Sequence, residues 1–234
     1  MKKIIILLLC IILSTITCIG QIAPPKGFHY VATIETTMGD ITALLYNDTP
    51  NHRDNFVKLA RSNFYDSVIF HRVINGFMIQ CGDPESKKPQ PHKQYGDHDV
   101  GYTIPAEIKS NHHHFIGALC AAREDDQTNP DRASSGSHFY IVTGGQLTDS
   151  TMKRAKNIIE KFGAPELDSA IVDKYMSIGG APHLDGSYTC FGMVISGMEN
   201  AIAISQVETD ALDRPKQNIS IKRIKIKAIK DKAR

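Results

Sequence analysis

Chemistry in this 234-residue chain concentrates in one run, Phe70-His71-Arg72-Val73-Ile74-Asn75-Gly76-Phe77-Met78-Ile79-Gln80-Cys81-Gly82-Asp83, where one permanent cation stands among apolar side chains and a neutral amide. Arginine cannot lose its charge, so Arg72 offers a fixed fork of donors. Beside aromatic and thioether surface, that fork suits an uncharged acceptor that turns basic only as it distorts, such as a twisted amide. Taken alone, the run also fits a half-exposed strand carrying a solvated or salt-bridged guanidinium.

Strands must position these groups. Alternation puts Val68, Phe70, Arg72 and Ile74 on one strand face. A turn at Asn75-Gly76 leads into a second strand, in which Phe77, Ile79 and Cys81 face one way while Met78 and Gln80 face the other. Strands are predicted over 68–73, 77–81, 29–37, 41–46, 115–122, 139–142, 189–194 and 219–229, with Met38-Gly39-Asp40 closing the first hairpin. Thr49 as a cap and Pro50 at the first helical position open a helix ending near Arg61, with Phe56, Leu59 and Ala60 on its buried face. A second amphipathic helix runs from Met198 to Gln206. So many short strands with two helices predict an all-β fold, a closed antiparallel barrel capped by the helices. From Gly144 to Gly180 the pattern breaks: Met152, Ala155, Ile159 and Phe162 recur at helical spacing, and Leu167, Ala170, Ile171 and Lys174 follow Pro165. Two short helices in a packed insertion over 144–180 are expected, flanked by Gly144-Gly145 and Gly179-Gly180 as hinges.

A hydrophobic content of 41% and a formal net charge of +2 fit one large domain over residues 29–234 and give no basic surface for nucleic acid. Ile221, Ile224, Ile226 and Ile229 alternate with the basic residues of the tail, which reads as an edge strand with a solvated face. Met1-Lys2-Lys3, the apolar run from Ile4 to Leu13, and small residues up to Gly20 form a signal-peptide pattern over 1–20, too short in its apolar part to span a membrane. Residues 21–28, with Pro24-Pro25, read as a flexible lead-in. Cleavage before Gln21 and release to the periplasm or outside the cell is the expectation, with lipid anchoring through Cys18 as the competing route. Cys81, Cys120 and Cys190 then remain, an odd number inside strands, and read as buried core residues rather than a disulfide framework. His112-His113-His114, with His92 and His98 nearby, invites a metal reading. Consecutive histidines diverge on a strand and no spaced carboxylate or cysteine completes a ligand set, so the segment reads as surface loop, and neither metal nor other cofactor is expected. Ser135-Gly136-Ser137 lacks the surroundings of a hydrolase nucleophile elbow.

The order of the 70–83 run resembles the signature F-H-R-V-I-x-x-F-M-x-Q-x-G-D of cyclophilin-type peptidyl-prolyl isomerases. The resemblance continues through Gly117-Ala118-Leu119, Ser135 to Ile141 (SGSHFYI) and Leu184 to Gly192 (LDGSYTCFG), and so covers nearly everything from His29 to the final strand. It implies an eight-stranded cyclophilin-like barrel and a cofactor-free rotamase acting, as a monomer, on proline-containing polypeptides during folding of exported proteins. By the same resemblance Arg72 stabilises the twisted imide, and Gln80 bonds the substrate backbone and helps orient Arg72. Phe77, Met78, Tyr140 and Leu184 line the proline pocket, the main chain of Ala122 and Arg123 pairs with the peptide, Tyr188 stands at the rim, and His71 buttresses the arginine strand. His138, Tyr140, Arg123 and His183 stand where the best-known eukaryotic members carry glutamine, phenylalanine, asparagine and tryptophan. Loss of the indole at 183 implies weak binding of the cyclic peptide drug that recognises the family. A different class of reading keeps the groove but not the catalysis: a binding module or holdase that captures proline-containing segments.

Overall fold

The chain is described by a computed structural model over residues 22–230, so the signal-peptide segment and Cys18 lie outside the described residues. Short alternating or continuous apolar runs generate β1 (Phe28–Thr36), β2 (Gly39–Leu45), β3 (Phe70–Ile74), β4 (Met78–Cys81), β6 (Ala118–Ala121), β8 (Phe139–Val142), β9 (Cys190–Ser196) and β10 (Ile221–Lys230). These form one antiparallel sheet in the order β10-β1-β2-β9-β6-β8-β4-β3. Two further strands, β5 (Thr103–Ile104) and β7 (Ser134–Ser135), pair with each other, a small sheet that the sequence pattern did not predict.

The sheet curls, but the expected closed barrel is open between β3 and β10. The two edges meet only at their first residues, at the Ile69–Ser220 bridge, where the Ile221 N–H donates to the Val68 carbonyl at 2.8 Å and the Phe70 N–H to the Ile219 carbonyl at 2.9 Å. Further along β3, the Val73 N–H donates to the Asp213 carbonyl at 2.8 Å, so the loop leading into β10 covers the edge that a barrel strand would take. Inside the curl, Ile34, Ile41, Leu45, Phe70, Ile79, Leu119, Ile141 and Phe191 form the main core. As expected, β10 is an edge strand: Ile221 and Ile224 are buried while its lysines face solvent.

Four α-helices form where the sequence pattern expects them, two outside the insertion and two within it: α1 (Pro50–Arg61), α2 (Asp149–Lys161), α3 (Ser169–Ile178) and α4 (Met198–Ser205). In α1, Phe56, Leu59 and Ala60 are buried as predicted, with Phe56 edge-on to Phe139 at 5.2 Å. Thr49 does not cap it; its hydroxyl is buried without a partner among the described residues. Instead the Glu107 carboxylate accepts from the N–H groups of Asn51 and His52 at 3.1 and 3.0 Å, placing a negative charge at the positive end of the helix dipole. Helix α2 does carry its own cap, Thr148 and Thr151 bonding reciprocally, and buries Met152, Ala155 and Ile159. The insertion leaves and returns at one point: a Cβ on Gly144 would lie 2.5 Å from the Gly180 carbonyl, so the paired glycines meet in a tight neck.

Candidate active site

A register shift decides where Arg72 points. In the β3–β4 ladder Phe70 pairs with Cys81, but the next pair is Arg72 with Gln80, so the bulge at His71 breaks the alternation. Phe70 and Val73 therefore enter the inner core, while Arg72 joins the outer face with Ile74, Met78 and Gln80. The expectation that Arg72 shares a face with Val68 and Phe70 is corrected accordingly. Phe77 is corrected too: Asn75-Gly76-Phe77 is a three-residue loop with Gly76 at φ +70°, which leaves Phe77 outside the ladder, packed with Met78 and Tyr140 rather than with Ile79 and Cys81.

On this outer face a cavity of about 270 Å³ is lined by Arg72 and Gln80 together with Phe77, Met78, Tyr140 and Leu184. His71, Ala122, Arg123 and Tyr188 complete its walls, so ten of the eleven expected site residues meet in one place. The eleventh, His138, lines the neighbouring hollow, which shares Gln80, Ala122 and Arg123. Met78 and Tyr140 are buried against Cys120, Ala122 and Cys190, so the floor is dry. The Arg72 side chain is 46% exposed at the cavity mouth, its Nε 3.6 Å from the Asp213 carboxylate. Both partners of that pair are wet, and water screens it.

Other groups are spoken for. Arg123 donates from Nε to the Ser187 carbonyl at 2.8 Å, pairs with Asp126 at 2.6 Å and lies over the Tyr188 ring at 4.5 Å, so its side chain braces the rim. The Ala122 N–H donates to the His138 carbonyl and the Ala122 carbonyl accepts from the Ser135 N–H. The expected main-chain pairing of Ala122 with a peptide is thus reduced to one lone pair on its carbonyl. His183, in the short helix Pro182–Leu184, faces the Phe77 ring at 5.3 Å.

His71 is 4% exposed and both its ring nitrogens lack partners among the described residues. Burial, the neighbouring His138 and the Arg72 charge push its pKa down to about 3. The neutral ring is therefore the folded form, and its contribution to stability is complete above the ordinary value of about 6.5 and fades as pH falls toward 3. Between pH 7 and pH 5 this one group should cost about 2 kcal/mol of folding free energy. Urea midpoints of wild type and His71→Phe at the two pH values check it: the wild type should lose that stability and the variant should not.

The wall containing Leu184 is anchored by Asp185, which is 5% exposed. Its carboxylate accepts from His113 Nδ1 at 2.8 Å, from the His114 N–H at 2.9 Å and ring Nδ1 at 2.8 Å, and from the Tyr175 hydroxyl of α3 at 2.8 Å. Burial works against ionising Asp185, yet hydrogen bonds from His113 and His114 outweigh it and hold its pKa at about 2. Burial likewise opposes charge on His114; the adjacent Cys190 and Asp185 outweigh it and raise its pKa to about 10. The three histidines do diverge, His112 stacking on Tyr46 at 4.0 Å, but the reading as surface loop fails for His114, which is fully buried. Sequence reasoning also missed Tyr95, Gly96 and Asp97 on the cavity wall. Gly96 holds φ +125°, and a Cβ there would lie 3.2 Å from His71 Nε2; the glycine lets this loop close over the histidine.

A family model described as cyclophilin type peptidyl-prolyl cis-trans isomerase/CLD matches residues 31–226. A Staphylococcus saprophyticus protein named as a peptidyl-prolyl cis-trans isomerase is 32% identical over 202 residues, covering 86% of this chain and 93% of its own. A Streptococcus pyogenes protein named as a bifunctional phosphatase/peptidyl-prolyl cis-trans isomerase is 34% identical over 197 residues, 83% of this chain but only 38% of that relative's length. The crystal structure of a Cryptosporidium parvum cyclophilin type isomerase superposes with a TM-score of 0.61 at 25% identity, covering 85% of this chain and 98% of that one. A second structure of that protein, obtained in the presence of the dipeptide Ala-Pro, gives 0.58 at 26% identity over 83% of this chain and 96% of that one. Matched along most of its length, with His71, Arg72, Phe77, Met78 and Gln80 of the signature run lining one cavity, the chain belongs to the cyclophilin-type peptidyl-prolyl cis-trans isomerases.

Proposed function

We propose that this chain, acting as a monomer, speeds cis-trans interconversion of X-Pro bonds in exported proteins, and that Arg72 supplies the transition-state interaction. The observation that carries the reading is the meeting of Arg72 and Gln80 with Phe77, Met78, Tyr140 and Leu184 around one cavity. Rotating the bond gives up amide resonance, a barrier of about 18–20 kcal/mol. The prolyl nitrogen gains a lone pair only as the bond twists, so a donor aimed there favours the transition state over either ground state. The apolar floor takes the ring, and Gln80 bonds the substrate backbone, a role supported by its register pairing with Arg72 directly across the strand pair. The dipeptide used with the Cryptosporidium relative is of the same chemical type. The signal-peptide pattern ahead of the domain supports exported clients.

A protease-coupled assay with an X-Pro peptide tests the activity: the chain should raise the isomerisation rate in proportion to its concentration, and a rate equal to the uncatalysed one would contradict the reading. The cyclic peptide drug that recognises the family should inhibit weakly, because His183 offers less surface than an indole and is packed on Phe77. Inhibition at concentrations that block the eukaryotic enzymes would contradict that expectation.

A further inference from the structure

Below the cavity floor, outside its lining, three side chains with metal-binding chemistry converge. Cys120 on β6 and Cys190 on β9 are register partners, their Sγ atoms 3.2 Å apart, and His114 Nε2 lies 3.5 Å from Cys190 Sγ. One ligand atom from each residue falls within 4.8 Å of the others, and all three residues are buried. The histidine is held in place. Its ring Nδ1 and main-chain N–H both bond Asp185 Oδ1, which turns Nε2 toward the sulfurs. A carboxylate behind a histidine is the arrangement that orients metal-ligating imidazoles and raises their basicity. The Tyr140 hydroxyl, 3.1 Å from Nε2, adds an oxygen on the same side.

We propose that His114, Cys120 and Cys190 bind one divalent thiophilic cation of the zinc class, with the Tyr140 hydroxyl beside the fourth position. Tetrahedral bonds of about 2.3 Å to sulfur and 2.0–2.1 Å to nitrogen place sulfur and nitrogen roughly 3.6 Å apart, close to the observed 3.5 Å. The two sulfurs need to open from 3.2 Å by about half an ångström. Charge favours a divalent ion: two thiolates balance it, whereas monovalent copper would leave one more negative charge in a dry interior that already holds the Asp185 carboxylate. As the bonds form, each thiol and any protonated imidazole releases its proton to solvent, and no electrons are transferred. Linear spacing concealed the set, since His114 and Cys190 are 76 positions apart.

Titration of the reduced, chelator-treated protein with Co²⁺ at mildly alkaline pH, followed by Zn²⁺, tests the site. One equivalent should produce thiolate-to-cobalt charge-transfer bands that Zn²⁺ then abolishes. Cys81→Ala, which alters the inner core instead, should behave as wild type, while Cys120→Ser and Cys190→Ser should each weaken binding by more than about 100-fold. X-ray absorption of the zinc-loaded wild type, which needs no variant, should show two sulfur neighbours and an imidazole. Absence of the bands in folded, reduced protein, their survival in the double serine variant, or only nitrogen and oxygen around zinc would overturn the proposal. A Cys120–Cys190 disulfide that persists under reducing conditions would overturn it as well.

Discussion

Arg72→Ala should lower kcat/KM on an X-Pro peptide by about 10²–10³-fold, the effect of removing one preorganised donor aimed at developing charge. Stability should hardly change. The guanidinium is 46% exposed and its pair with Asp213 is long and screened, so truncation should cost no more than about 0.5 kcal/mol. The separation of the two effects is what distinguishes a catalytic group from a structural one. Rates by the coupled assay and melting by circular dichroism read both at once. Undiminished turnover in a folded variant would remove Arg72 from the mechanism.

Asp185→Ala should show the opposite profile, with stability lost first. Truncation strands the partners of its carboxylate: the buried His114 ring and N–H, the buried Tyr175 hydroxyl and the partly buried His113 ring. Breaking a buried, hydrogen-bonded charge network of this kind costs about 3–5 kcal/mol. For a domain of this size that lowers the melting temperature by roughly 6–20 °C. Because Tyr175 belongs to α3, the loss should also loosen the insertion from the wall that carries Leu184, so substrate affinity should fall along with stability. Thermal melts of the variant check this, and an unchanged melting temperature would contradict it.

Both predictions rest on features that differ in how visible they are in the amino-acid order. Period-two alternation, or for β6 and β8 a short continuous apolar run buried on both faces, located eight strands within a few residues. That the barrel stays open was not readable, since the contact covering its edge is non-local: the Asp213 carbonyl takes the Val73 N–H. The bulge at His71 was equally hidden, because no glycine or proline marks it; it moved Phe70 and Arg72 to opposite faces while leaving Arg72 beside Gln80. The cavity residues were legible mainly through resemblance to the signature, as Phe77, Met78, Tyr140 and Leu184 are otherwise ordinary core residues. Neither Gly96 against His71 nor Glu107 capping α1 carries a local signal, each being a contact across the fold. The same is true of His114, Cys120 and Cys190, which three separate segments deliver to one point.

The most direct test of the central claim is a crystal structure of the protein with an Ala-Pro-containing peptide. The proline ring should sit against Phe77, Met78 and Leu184, with the Arg72 guanidinium at hydrogen-bond distance from the prolyl nitrogen or its flanking carbonyl. A peptide bound elsewhere, or an arginine that stays on Asp213 and leaves the imide without a donor, would contradict it.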